Sequence, residues 1–225
     1  MKKLLEANTA HGRRRISQVF TDFCELGALT LRNSVDRHGW DDREARYLQI
    51  ASGYEREELD RFAELLAQVA LELGNGFDDV LGHLYMSLDL GNERLGQFFS
   101  PYEVSLLSAQ LALGSNLDEL RNQDVITLGE PSCGSGGMVI AMLDTLRRAD
   151  INHQQRVHVT AQDLDATAVH MTYIHLALLH QPALVVHGNT LTLEQYDVWP
   201  TPAHLLDGWD ARLRGHHTAA AVKTA

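Results

Sequence analysis

The sequence predicts an α/β protein with a parallel sheet and a helical N-terminal domain, and three observations carry that prediction. Strand-like and helix-like stretches alternate after Asp118, apolar residues before residue 76 recur with a helical period, and a glycine turn at 134–137 joins the first strand to the first crossover helix. Alternating strands and helices imply right-handed crossovers and a ligand crevice at the carboxyl ends of the strands. With 225 residues, 44% of them hydrophobic and only five prolines, the chain is long and apolar enough to fold as one ordinary domain or two small ones.

From about Arg14 to Leu73, residues such as Leu59, Phe62, Leu65, Leu66, Val69 and Leu73 repeat every three or four positions, the spacing of one buried helix face. This defines an expected helical domain over 1–76, ended by Gly74-Asn75-Gly76. Asp78 or Asp79 can cap a further helix carrying Val80, Leu81, Leu84, Tyr85 and Leu88. A second break falls at Gly91-Asn92. Ser100-Pro101 then opens a helix through about Leu113, with a capping side chain ahead of a proline at the first helical position. The βαβαβ reading follows: strand 124–129, helix 138–149, strand 156–162, helix 165–180 and strand 183–187.

Composition narrows the function. The formal net charge is −11, which opposes unaided DNA binding, because affinity for the phosphate backbone comes from Lys and Arg. Between Glu72 and Ser132, ten acidic residues face only Arg94 and Arg121, so a basic partner is expected. Arg13, Arg14 and Arg15 read as a solvated helix face. The N-terminus lacks an apolar run behind its lysines, and no stretch approaches the ~18 apolar residues of a membrane span. Two cysteines, Cys24 and Cys133, form neither a disulfide framework nor a zinc site. A cytoplasmic protein without membrane attachment is the expectation.

The chemistry gathers at the strand ends. In Glu130-Pro131-Ser132-Cys133-Gly134-Ser135-Gly136-Gly137, glycines allow positive φ and close backbone approach, and the following helix offers unpaired N–H groups. The third glycine of a dinucleotide fingerprint would fall at Val139, and no lysine follows the loop, so neither nucleotide-phosphate pattern is present. An adenosine cofactor without a phosphate chain remains, which points to S-adenosylmethionine. Asp163, at the end of the second strand, is placed to accept from the ribose hydroxyls, and Asn189, after the third, to meet the adenine edge. Asp165 reads as a helix cap, Cys133 as a small residue in a crowded turn, and one of Phe98 and Phe99 as core. His170, His175 and His180 are five apart and share no helical face, so no metal site is expected. Trp199 and Trp209 read as burying the C-terminal segment.

Four motifs occur in order: Gly96 to Pro101, Glu130 to Gly137, Gln162-Asp163 and Gly188 to Leu191. Together they resemble an adenine-specific (N6) DNA methyltransferase, and more narrowly the modification subunit of type I restriction–modification systems, including Asp79 to Tyr85 ahead of them. The resemblance covers about 77–191. It implies a truncated, Rossmann-like S-adenosylmethionine-dependent methyltransferase fold over 77–191, with a degenerate C-terminal segment over 192–225. It also implies cofactor contacts at Phe98, Phe99, Ser100, Pro101, Glu130, Ser132, Gly134, Gly136, Asp163 and Asn189. DNA, reached through a specificity or modification subunit, is the implied partner.

The family's catalytic Asn/Asp-Pro-Pro-Tyr/Phe segment, which would act on a flipped adenine, is absent from the sequence. Thr201, Pro202 and His204 stand as its degenerate candidates, following Tyr196-Asp197-Val198, which resembles the start of the family's fourth strand. Asn189 stands where the family usually carries Asp. Because the family's first strand lies between the second and fourth, either 192–214 or another chain is expected to cover its free side. The alternative function is a noncatalytic interaction module that keeps the cofactor fold.

Overall fold

A computed structural model describes residues 1–10, 12–90, 99–114 and 116–223, with side chains through residue 216. Four helices open the chain: α1 (Lys2–Ala7), α2 (Ile16–Asn33), α3 (Trp40–Ala51) and α4 (Arg56–Asn75). At the start of α4, Glu55 and Glu58 form a reciprocal capping box. The buried Glu58 carboxylate also pairs with Arg14 at 2.7 Å, tying the loop before α2 to the start of α4. Phe20, Phe23, Leu65 and Val69 of these helices belong to the same apolar cluster as Val157, Val159 and Ile174 farther along the chain. The N-terminal helices and the sheet region therefore share one core.

Next come α5 (Val80–Ser87), α6 (Tyr102–Gly114) and α7 (Leu117–Arg121). Asp79 caps α5 by accepting from the Gly82 N–H at 3.0 Å. The remaining elements are β1 (Ile126–Glu130), α8 (Gly137–Arg148), α9 (His153–Arg156), β2 (Val157–Asp163), α10 (Ala166–Leu178), β3 (Ala183–Asn189), β4 (Glu194–Pro200), α11 (Pro202–Leu206) and α12 (Trp209–Lys223). The βαβαβ unit read from the sequence is present, with strand boundaries shifted by up to two residues.

The sheet has the order β1-β2-β3-β4. The first two pairings are parallel, whereas β4 returns antiparallel along β3. Both crossovers step in the same direction, so right-handed connections set α8 and α10 on one face. Ile126, Val157, Val159, Ala161, Ala183 and Val185 are buried, and the register aligns them on that covered face. On the opposite face Thr127, Gly129 and Thr160 are exposed, and Trp209 of α12 covers His158 at the strands' N-terminal end.

This topology removes one of the two expected covers for β1. Residues 192–199 do not reach the free side of β1; they form a hairpin on the outer side of β3. The reason is length. Only residues 190–193 separate β3 from β4, whereas a crossover to a parallel position needs a dozen or more residues. Among the described residues, β1 pairs only with β2.

Candidate functional site: the cofactor crevice at the strand tips

The turn after β1 is built from main-chain hydrogen bonds. The Cys133 N–H donates to the Gln162 carbonyl at 2.9 Å, carrying the β1–β2 ladder one step beyond the strand, and the Gly136 N–H closes onto the Cys133 carbonyl at 2.8 Å. Gly134 adopts φ +55° and Gly136 φ +94°, values that side chains disfavour. Space is short as well. A Cβ on Gly134 would lie 2.9 Å from Phe99 Cε1, and one on Gly136 would lie 3.1 Å from Thr172 Oγ1. Gly136 is the N-cap of α8, so bare backbone and the start of that helix, which is buried with the Asp79 carboxylate against Gly137, meet at one point.

Asp163 is held at that point. Its Oδ2 accepts from the Gly134 N–H at 2.8 Å and its Oδ1 from the Asp165 N–H at 2.9 Å. Each carboxylate oxygen keeps a second lone pair, the acceptor capacity that two ribose hydroxyls require. Asp165 caps α10, taking the Thr167 N–H at 2.6 Å, as the sequence indicated. Glu130 Oε1 accepts from the Ser132 N–H at 3.2 Å, and Ser132 is exposed.

At the tip of β3, Asn189 Oδ1 accepts from the N–H groups of Leu191 and Thr192, at 2.9 and 3.3 Å. The carbonyl of this amide therefore shapes the hairpin turn, and its NH₂ remains as the group able to meet a purine. Thr190 Oγ1 donates to the Pro131 carbonyl at 2.6 Å, fastening the hairpin to the glycine turn. Phe99 packs against Tyr85, with ring centroids 5.1 Å apart. It also lines a cavity of about 120 Å³ with Asp165, Thr167 and Met171. Ser100 and Pro101 lie just ahead of α6 and are both exposed; Phe98 lies outside the described residues.

Behind the turn sits a brace that the sequence only hinted at. Ser135 Oγ donates to Asp79 Oδ2 at 2.5 Å, and both residues are 2% exposed. His175 of α10 accepts the Leu81 N–H on Nε2 at 3.1 Å, so its proton is on Nδ1, which donates to the Ser135 carbonyl at 2.9 Å. Burial pushes the His175 pKa down, with the nearby Asp79 charge opposing. One turn earlier, Thr172 Oγ1 donates to the Gly134 carbonyl at 2.9 Å. Thr172 and His175 lie three residues apart, hence on one face of a largely apolar helix that also carries Thr167 and His170. That polar pair was the available signal. Asp79→Ala is expected to destabilise the protein by about 2–3 kcal/mol, through loss of a cap and a buried hydroxyl left without its acceptor. Urea unfolding checks this, and a loss below about 0.5 kcal/mol would deny the brace its structural weight.

The Cys133 thiol is buried and pushed up to about 12 by desolvation, so it stays neutral at pH 7 and fills space. The three spaced histidines go to separate partners: His175 to the brace, His170 edge-on to Trp199 and exposed His180 to Asp207.

The degenerate catalytic candidates are elsewhere. Thr201 is fully buried; its Oγ1 donates to the Gln181 carbonyl at 2.7 Å and accepts the Ala183 N–H at 2.9 Å. Pro202 begins α11. His204, 3% exposed, contacts His158 Nε2 at 3.0 Å through Nδ1. Ala183 and His158 lie at the starts of β3 and β2, a strand's length, about 20 Å, from the glycine turn. Because β4 runs backwards, it carries these residues away from the crevice.

A family model described as N-6 DNA Methylase matches residues 77–206, more than half of the sequence.

The chain belongs to the N-6 DNA methylase family.

The matched span runs from the Asp79 cap through the glycine turn, Asp163 and Asn189 to the end of α11. A solved structure from Listeria monocytogenes, provisionally described as a class I S-adenosylmethionine-dependent methyltransferase, has the same fold, with a TM-score of 0.50 at 11% identity. The likeness covers 87% of this chain and 54% of that one, so this chain spans about half the length of its structural relative. No curated protein matches the chain. The fold is thus that of an α/β methyltransferase, and no described helix is long and apolar enough to cross a membrane.

Proposed function

We propose that the chain binds S-adenosylmethionine at the tips of β1, β2 and β3 and serves adenine-N6 methylation of DNA within a restriction–modification-type assembly. The supporting observation is the bond from the Gly134 N–H to the Asp163 carboxylate, which joins the bare turn, the α8 N-terminus and the β2 acid in one cradle. The residues fit the group. The turn would let the cofactor approach main chain, Asp163 would accept from its sugar and the Asn189 NH₂ would meet its base, with Phe99 as a wall beside the turn. When bound, the cofactor supplies an activated methyl group; these side chains orient it. The net charge of −11 favours delivery to DNA through a basic specificity or modification subunit.

A second reading, a noncatalytic module of such an assembly, is favoured by the placement of Thr201, Pro202 and His204 at the far end of the sheet. Two measurements separate the readings. Calorimetry with S-adenosylmethionine should show binding that Asp163→Ala weakens about tenfold or more, the loss expected when charge-assisted hydrogen bonds go. Unchanged affinity would move the site elsewhere. Labelled methyl transfer to adenine in DNA should appear only when basic partner subunits are added; binding without transfer under every condition selects the noncatalytic reading.

A further inference from the structure

We propose that a second site, on the face of β3 and β4 that α10 covers, takes a small organic cation: an ammonium or guanidinium group on an apolar stem, free or carried by a polypeptide. Residues of α2, α3, α10 and the two strands enclose a cavity of about 420 Å³, a size usual for small-molecule sites. Leu29, Ala166 and Val169 give it an apolar wall. Gly134, Asp163 and Asn189 of the cofactor crevice do not line it.

The hydrogen-bonding groups decide the charge of the occupant. Two arginines reach the cavity, and both are spent. Arg43 donates to the Asn33 amide oxygen at 2.8 Å and to the carbonyls of His38 and Asp36, each at 2.6 Å. Arg46 grips both Glu25 oxygens, at 2.5 and 2.8 Å, and donates to Gln49 at 3.0 Å. Two carboxylates in the lining are not matched in this way. Asp42 is exposed in the first turn of α3, and no cation pairs with it among the described residues. Asp197 is half-exposed, and Arg32, 4.0 Å from its Oδ1, is already bonded to Asp36 at 3.1 Å. Acceptors therefore outnumber available donors, the reverse of an anion site.

His170, also in the lining, is an independent sign of a missing partner. Its ring is 7% exposed and edge-on to Trp199, and its Nδ1 has no hydrogen-bond partner, although buried polar atoms are ordinarily paired. Burial lowers its pKa to about 4, so the ring is neutral at pH 7. With the proton on Nε2, Nδ1 is a bare acceptor that an N–H group can fill. An ammonium or guanidinium brings several such donors together with the charge that Asp42 and Asp197 lack, and its stem meets the apolar wall. A carboxylate or phosphate would instead set like charge beside those aspartates. No group of three metal-ligating side chains occurs among the described residues.

The test uses the 225-residue chain with agmatine, a guanidinium and an ammonium on a short alkyl stem, beside butanediol, glutarate and a blocked arginine amide. Agmatine should bind in calorimetry and move the ring-nitrogen signals of His170 in NMR, with butanediol and glutarate weaker by about tenfold or more. Asp42→Asn and Asp197→Asn should each weaken agmatine about tenfold and leave the melting temperature in place, because both carboxylates are exposed. Gly134→Val, which strikes the cofactor crevice, should leave agmatine affinity unchanged, so the two sites fail independently. Tighter binding of agmatine than of blocked arginine supports the site with a free cation as its occupant; the reverse order supports it with a polypeptide side chain. Absence of binding by both cations, equal binding of butanediol, unmoved His170 signals, unchanged affinity in both aspartate variants, or loss of agmatine binding in Gly134→Val would overturn the proposal.

Discussion

Gly134→Val is expected to lower affinity for S-adenosylmethionine by about a hundredfold or more while leaving the helical N-terminal region folded. Two independent costs fall on the same atom. At φ +55° a β-branched side chain is strained by about 1–3 kcal/mol. The new Cβ would also lie 2.9 Å from the Phe99 ring, too close without movement of one partner. Relief by moving the turn breaks the 2.8 Å bond to Asp163, and with it the alignment of the sugar acceptor. A double variant, Gly134→Val with Phe99→Ala, isolates the terms. It should recover only the part due to the collision, leaving the strain and the lost cofactor approach. Calorimetry reads both, with far-ultraviolet circular dichroism as the folding control. Wild-type affinity in Gly134→Val would remove the turn from the binding site.

The elements that sequence reasoning placed well are those whose causes are local. The glycine turn, the Asp165 cap, the Asp79 cap and the acid at the tip of β2 each depend on a few neighbouring residues. The direction of β4 was also within reach. Asn189 is an Asx-turn residue, and four intervening residues cannot carry a parallel crossover. Other features had no local cause. His175 acts through Leu81 and Ser135, 94 and 40 residues away, and only the tertiary fold brings them together. The same holds for Thr201, whose hydroxyl suggested chemistry and instead satisfies the main chain at the base of β3.

Stability is expected to fall steeply as pH drops from about 6.5 towards 4, because the core holds neutral imidazoles. His158 and His170 are 2% and 7% exposed, and burial lowers each to about 4; His153, His175 and His204 are lowered in the same direction by the same cause. His158 Nε2 lies 3.0 Å from His204 Nδ1, and His204 Nε2 lies 3.2 Å from Asp210. With His204 donating to Asp210 and His158 donating to His204, each bond uses one proton, and an extra proton on His204 Nδ1 would oppose the His158 N–H. The unfolded chain takes up protons near pH 6.5 while the folded one resists them until about 4. The stabilisation is therefore fully present above the unfolded value and is lost through that window as pH falls. Each such histidine contributes a slope of up to about 1.4 kcal/mol per pH unit. Urea midpoints between pH 7.5 and 4.5 should show the fall, and His158→Gln or His170→Gln, though less stable at pH 7.5, should each flatten it by roughly one proton's worth. A stability that stays level from pH 7 to 5, or an unaltered slope in both variants, would place the acid sensitivity outside these imidazoles.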